Sequence, residues 1–549
     1  MTSRRIFVIG LDGVGFPLID PWIEAGKLPH LERAIAMGTC GLLESTIPPL
    51  TGPAWASFQT GVNPGKHGIS GWTKRRGEGY AISVVTGNDI PYPTIWELAS
   101  ESGRQVVSIG LPLTYPPRPV NGVIIPGLLT PESDPAPTHP PEIYAQLRSA
   151  APNYRFFPEC AHRFTLGSKV EELLTGLRGR ATAAKHFMQQ HDWDLFMLHF
   201  QSTDKVQHDL WGMKKNGLDP LLTVFQEVDR QVGELSEIAE GLGASVILLS
   251  DHGMGIQEYT FSINTWLLQA GYLKLKLGVL ERIKRAAFHL GFTQRRLKHV
   301  GFLLYPFAYR LGLFSSFFDA VGDGIAARLI SALFLSLDDI DWSRTRAYSH
   351  ADIGHIRLNL QGREPHGILR QEEADSLTDE LVERLHTVVN PRNGEPLLGQ
   401  AFRREEIYHG ERLSQAPDIL FLPKDLRTVG SGASGFYSNR PFDRPLLRAN
   451  HRMEGILIAN GEPFRSHHRI EGATLTDLAA NLLYLLDCPV PEYMDGVIWE
   501  DAFHPETLAS QPLKRRERPP ERNTSTTAND DGADAAALRK RLQQLGYLS

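Results

Sequence analysis

Residues 246–255 read VILLSDHGMG: a run of branched apolar side chains, Ser250, then Asp251 and His252 side by side, then Gly-Met-Gly. A short, continuous apolar run bounded by polar and glycine positions predicts a strand buried on both faces. A carboxylate and an imidazole placed where such a strand ends sit on the rim of a sheet, where ligands gather in open α/β folds. The stretch therefore predicts both a fold class and the edge on which chemistry takes place.

Similar runs recur along the chain: IFVIGL (6–11), VVSIGL (106–111), LFMLHF (195–200) and ILIAN (456–460). Between several of them, stretches such as 179–190 and 221–240 carry apolar residues at helical spacing. Doubly buried strands alternating with amphipathic helices predict an α/β fold with a mainly parallel sheet flanked by helices on both faces. Asp12 follows the first run and Asp204 lies just past LFMLHF. With Asp251, three strands then deliver a carboxylate to one edge.

The chain has 549 residues, 42% hydrophobic and 22% charged, enough for one large α/β domain carrying insertions. Its net charge of −6 gives no reason to expect nucleic acid as a partner. Cys40, Cys160 and Cys488 are odd in number and far apart, which argues against a disulfide framework or a cysteine zinc site and for a reducing, cytoplasmic location. RRIFVIGL near the N-terminus is too short to be a signal and has no small-residue cleavage site, so it is read as a first strand. No run of 18 apolar residues predicts a spanning helix.

Residues 1–504 are expected to form the catalytic domain, with two elaborations. In the first, 274–340, residues 274–310 hold nine Lys or Arg against the single acid Glu281, interleaved with Leu, Phe and Tyr. This predicts basic amphipathic helices, either a cap that buries its apolar faces on the main domain or a peripheral contact with an anionic membrane. The second, 350–440, is polar and rich in turn residues, and is read as a smaller α/β unit. Composition predicts a disordered linker over 505–536. A short helix over 537–549 would carry Leu538, Leu542 and Leu545 on one face.

The rim donors are Asp12, then Asp204 and His208 in STDKVQH, Asp251 and His252, and later His451 in NHRMEG. In a helical first turn, Asp204 and His208 at i and i+4 project to one side and can grip one ion. Carboxylates with imidazoles and no thiolates suit catalytic zinc or manganese. A second constellation, PPLTGPAWASFQTGVNPGKHGI (48–69), is not a Walker loop, because it is one residue short and has His67 where Ser or Thr is required. GLDGVG likewise lacks the dinucleotide-binding glycine spacing. Thr51, between prolines, precedes a helix expected near Pro53 that would aim its positive end at a bound anion. Taken alone Thr51 reads as an N-cap; beside a metal its hydroxyl becomes a nucleophile.

The strand-end LDG, TGVNPGKHGI, DxxxH, SDHG and His451-Arg-x-Glu-Gly, in that order, resemble the alkaline phosphatase superfamily, and within it the type I phosphodiesterase/nucleotide pyrophosphatase family, over roughly residues 4 to 500. The resemblance implies two divalent metals, zinc or manganese. Asp204, His208 and His451 would hold one; Asp12, Asp251 and His252 would hold the other, with Thr51 bound to it as nucleophile. It implies hydrolysis of phosphodiester or pyrophosphate bonds in a small phosphorylated substrate through a phosphothreonine. Phosphomonoester or phosphonate hydrolysis on the same site is the alternative, and a non-catalytic membrane-surface protein retaining the fold is one of another class. Thr51-Gly52-Pro53-Ala54-Trp55 argues against the modified Cys or Ser of the related sulfatases. Where members of the family carry an asparagine after HGI, this chain has Trp72. Contacts to the phosphate oxygens then fall to the Thr51-Gly52 backbone, Lys66 or His67. His350 and His355 are expected on a loop that can face the cleft. Tyr493, Asp495 and Gly496 are read as structural.

Overall fold

A computed structural model describes residues 4–517 apart from 76–78, 81, 158–164, 294, 297–331, 351–352, 433–435 and 446. A nine-stranded sheet organises the chain, in the order His468–Arg469, Thr39–Glu44, Glu454–Asn460, Ala244–Leu249, Arg5–Leu11, Leu195–Phe200, Val106–Ile109, Gly122–Ile125, with Ala473–Thr474 also pairing with Thr39–Glu44. All run parallel except Glu454–Asn460, which is antiparallel to both neighbours.

Alternation along the central strand explains why its sequence is apolar throughout. Phe7, Ile9 and Leu11 face one helical layer, including Leu166–Gln190 and Pro220–Gly241. Ile6 and Val8 face the other, which includes Thr51–Thr60 and Leu475–Leu485. Each layer closes a separate hydrophobic core over one face of the sheet, as the doubly buried runs require.

Register sets the rim. Gly10 pairs with His199 on one side and with Leu249 on the other, so the three central strands end level. The residues that follow, Asp12, Ser202–Leu210 and Asp251-His252, emerge together. The reversed strand completes the set, because in an antiparallel neighbour the beginning lies where the others end: Leu457 pairs with Leu249 and Asn460 with Val246. His451 precedes this strand in a short ladder, Ala449–Arg452, paired with Gly253–Ile256. Hydrophobic periodicity reports burial but not strand direction.

The smaller unit is a four-stranded sheet, Ala347–Tyr348, His355–Leu358, Ile419–Pro423, Leu398–Arg403, sharing a core with helix Gln371–Thr387. Of the basic insert, helix Val279–His289 is described. The linker expected from residue 505 does not begin there. Pro505–Ser510 is helical, Tyr484 donates from its hydroxyl to the Gln511 carbonyl at 2.8 Å, and Arg515–Arg516 pairs with Val490–Pro491. Leu508 packs on the second core, an anchor that averaged composition hides. Residues 518–549, with the expected C-terminal helix, lie outside the described residues.

Candidate functional site

Three buried polar side chains brace the loop after the first strand. Gly13 has φ +72°, and a Cβ there would lie 3.3 Å from Asp204 Oδ1, so the turn suits glycine. The Thr203 hydroxyl donates to the Asp12 carbonyl at 2.6 Å, and the Gln207 amide to the Gly13 carbonyl at 2.8 Å. Val14 N–H donates to Ser250 Oγ at 2.8 Å, and that hydroxyl donates to the His252 carbonyl at 2.6 Å. Thr203 and Gln207 flank Asp204 in STDKVQH, so one helical turn both offers ligands and fixes the neighbouring loop.

Within helix Ser202–Leu210, Asp204 Oδ1 lies 3.1 Å from His208 Nε2, the i,i+4 geometry expected from the spacing. His451 Nε2 lies 3.0 Å from His208 Nε2 and 3.7 Å from the same Asp204 oxygen. His252 Nε2 lies 3.5 Å from Asp12 Oδ1, 3.3 Å from Asp251 Oδ2 and 3.2 Å from Thr51 Oγ1. The His252 and His451 rings stack with centroids 3.9 Å apart, joining the halves. All seven residues are buried.

The outer ring nitrogens decide what this cluster can do. His208 Nδ1 faces the Ala449 carbonyl at 2.8 Å, His451 Nδ1 the Pro49 carbonyl at 2.8 Å, and His252 Nδ1 the Gly253 carbonyl at 3.0 Å. A carbonyl only accepts, so each Nδ1 carries the proton and each Nε2 turns a lone pair inward. Lone pairs on His208 and His451 then face each other across 3.0 Å beside carboxylates. Asp12 Oδ1 and Asp251 Oδ2 are buried and accept no hydrogen bond. Inward lone pairs and acceptor-only oxygens are a donor set for cations, and imidazole with carboxylate fits zinc or manganese.

Without a cation the cluster holds protons in its place: burial lowers the His208 pKa, but the Asp204 carboxylate outweighs it and raises it above the ordinary value. Burial, then the charges of Asp251 and Asp204, pushes Asp12 well above the ordinary carboxylate range. Asp251 is also raised, by burial first, against the opposing charge of His252. Burial alone would raise Asp204, but His208 and His451 hold it well below its usual range. Burial drives His451 down to about 3, with the neighbouring His252 adding to it. Carboxylates crowded in a dry pocket repel one another, and cations relieve that repulsion.

Two groups of donors lie within 4.8 Å of one another: Asp204, His208 and His451, and Asp12, Asp204 and His252. Asp204 therefore borders both, and Asp251 approaches the second through His252.

Thr51 begins its helix, two residues before the expected start at Pro53, with Leu50 as N-cap. Ala54 N–H donates back to the Leu50 carbonyl, so the first turn directs its positive end toward the Thr51 side chain. The helix is pinned by Trp55, whose ring meets His199 edge-on at 4.8 Å. A Cβ on Gly10 would come within 2.5 Å of that indole.

The four expected substrate contacts divide. Gly52 and Trp72 are neighbours beside Thr51, a Cβ on Gly52 lying 3.4 Å from the indole Cδ2. Lys66 and His67 lie farther along and make other contacts. Lys66 Nζ is taken by the Asp495 carboxylate and donates to the Tyr493 carbonyl at 2.8 Å. His67 Nε2 meets Ser57 Oγ at 3.0 Å, and its Nδ1 accepts from Ile69 N–H at 3.1 Å. Ser57 lies roughly 9 Å along the helix from Thr51, and both side chains are committed there. His350 and His355 are buried in the smaller unit.

His199, inside the apolar run LFMLHF, belongs to the site although no motif marks it. Its Nε2 is 3.0 Å from Asp12 Oδ2, and its Nδ1 is 3.1 Å from the Gly110 carbonyl. Buried Arg180 donates to the His199 carbonyl at 2.7 Å. An apolar run conceals a single polar residue, and only its place opposite Gly10 in the register shows its use.

Such a site on such a sheet defines an alkaline-phosphatase-like hydrolase. The chain belongs to the type I phosphodiesterase/nucleotide pyrophosphatase family, whose model it matches over residues 6–434, and is a hydrolase of phosphoric esters. Phosphonoacetate hydrolase from Sinorhizobium meliloti 1021, solved with phosphonoformate, shares the fold at TM-score 0.53 and 16% identity, over 88% of this chain and 96% of that one. Human ectonucleotide pyrophosphatase/phosphodiesterase 5 shares it at TM-score 0.50 and 14% identity, over 91% and 100%. No curated protein matches the sequence.

Proposed function

We propose that the protein cleaves a phosphodiester or pyrophosphate bond in a small phosphorylated substrate through a covalent phosphothreonine on Thr51, with two divalent cations, zinc or manganese. The observation that carries this is the convergence of three inward Nε2 lone pairs and the Asp12, Asp204 and Asp251 carboxylates on the surroundings of Thr51 Oγ1. Cations held by Asp204, His208 and His451, and by Asp12, Asp251 and His252, would supply the charge that lowers the hydroxyl pKa and neutralises the departing oxygen.

Thr51 Oγ1 gives up its proton to water and attacks phosphorus in line as the bond to the leaving oxygen breaks, and that oxygen departs with the electron pair and takes up a proton from water. Water then attacks the phosphothreonine, breaking the bond between phosphorus and the threonine oxygen, which recovers a proton. The start of helix Thr51–Thr60 directs its positive end at the phosphoryl oxygens in both steps. Gly52 and Trp72 border that position. Free thiols at Cys40 and Cys488 support a reducing, cytoplasmic setting.

Turnover of a panel of aryl phosphomonoesters, phosphodiesters and phosphonates by wild type and Thr51→Ala tests the reading. We expect the diester to be preferred, the variant to lose at least about a thousandfold in turnover, and its metal content to stay at the wild-type level. Quenching the wild type during turnover should leave a phosphoryl group on Thr51, readable by mass spectrometry. Activity retained in Thr51→Ala would remove the nucleophile, and preference for the monoester or phosphonate would reassign the substrate.

A further inference from the structure

Helix Val279–His289 of the basic insert turns its apolar side outward. In helix Val279–His289 the buried positions are Lys284 and Phe288. Phe288 joins the core of the smaller unit, and Lys284 Nζ lies 2.8 Å from Asp339 Oδ1. At about 3.6 residues per turn, Val279, Ile283 and Leu290 fall on the opposite side. These three are 77%, 61% and 84% exposed, and Phe292, just beyond the helix, is 55% exposed. A helix packed on a globular body ordinarily faces solvent with polar residues. Here the inward side is settled by Phe288 and an ion pair, while the outward side is a hydrophobic stripe.

Cations border the stripe. Arg282 and Arg285 follow one edge, with Lys276 before the helix and Arg296 after it, all exposed. Among the described residues, no ion pair joins Arg282, Arg285 or Arg296. The positive charge is concentrated against the net charge of the whole chain, which is −6.

We propose that this face docks on an anionic membrane surface, with Val279, Ile283, Leu290 and Phe292 entering the boundary between headgroups and acyl chains and the flanking cations meeting lipid phosphates. An apolar stripe edged by Arg and Lys is complementary to such a surface on both counts. A second copy suits it less well, because a two-fold contact would bring Arg282 and Arg285 of both molecules together. The contact is peripheral: among the described residues no helix is long and apolar enough to cross a membrane. The insert leaves the body through Gly253–Ile256, Tyr259–Ser262 and helix Ile263–Ala270, which follow directly on Asp251 and His252.

Co-sedimentation of the full chain with phosphatidylcholine vesicles, with and without phosphatidylserine, tests this surface independently of the hydrolase reading. We expect binding to the anionic vesicles and little to the neutral ones. Arg282→Ala with Arg285→Ala should weaken binding about thirtyfold, the effect of two cations near an anionic surface. Ile283→Asp with Leu290→Asp should abolish it, and both variants should keep the wild-type melting temperature because the substituted side chains face solvent. Failure of the wild type to sediment with anionic vesicles would overturn the proposal. Binding undiminished in the Asp variant would also overturn it, as would a wild-type dimer that this variant dissociates.

Discussion

His199 and His67 are buried imidazoles outside the ligand set, one braced against the site and one apart from it. His199 lies between Asp12 and the Gly110 carbonyl and orients a carboxylate that would hold a cation. His199→Ala should weaken metal affinity roughly ten- to hundredfold, measured by competition with a chelator of known affinity; unchanged affinity would reduce it to a packing residue. Burial, opposed by Asp495 and reinforced by Arg412, drives the His67 pKa down to about 3. The unfolded chain takes up that proton near about pH 6.5, so below this the unfolded state binds more protons and stability falls as pH falls. The contribution is about 1.4 kcal/mol per pH unit down to the folded pKa. Melting curves of His67→Gln should lose that part of the acid slope, and a slope equal to wild type would contradict the assignment. Neither role was legible in the sequence. His199 sits inside an apolar run, and the resemblance suggested substrate contact for His67, whereas Ser57 and Ile69 occupy both its nitrogens.

At the scale of elements, the position of the nucleophile depends on a glycine. Gly10 leaves the space that Trp55 fills, and Trp55 lies in the helix that Thr51 begins. Gly10→Ala should cost about 1–3 kcal/mol by overpacking and displace that helix. A lowered melting temperature together with reduced turnover is expected; turnover unchanged beside a lowered melting temperature would separate the packing from the site. Elements were legible where one physical signal dominates. The apolar runs became strands, and the spacing of Asp204 and His208 became one helical face. The direction of Glu454–Asn460 was not legible, because burial of Ile456, Leu457 and Ile458 is the same whichever way the strand runs. That reversal is what brings His451 to the rim.

Across the whole molecule, folding assembles a charge distribution that the polypeptide alone satisfies poorly: Asp12, Asp204 and Asp251 are buried together, and the burial of Asp12 and Asp251 disfavours their ionised forms. Removing divalent ions with a chelator should therefore lower the melting temperature by several degrees, and returning zinc or manganese should restore it. Identical melts with and without metal would mean that the carboxylates are satisfied by protons instead. The fold class was readable because a sheet buried on both faces leaves a periodic trace, and the rim was readable because its carboxylates follow such runs directly. The sequence left open which way helix Val279–His289 faces, and Phe288 with the pairing of Lys284 and Asp339 sets it. Hydrolysis through Thr51 requires that donors from Asp12 to His451 gather a pair of cations around one threonine. Anomalous diffraction at the metal absorption edge, from crystals of the metal-loaded protein, tests it most directly. Two peaks are expected, one among Asp204, His208 and His451 and one among Asp12, Asp251, His252 and Thr51; a map with no peak at these residues would contradict it.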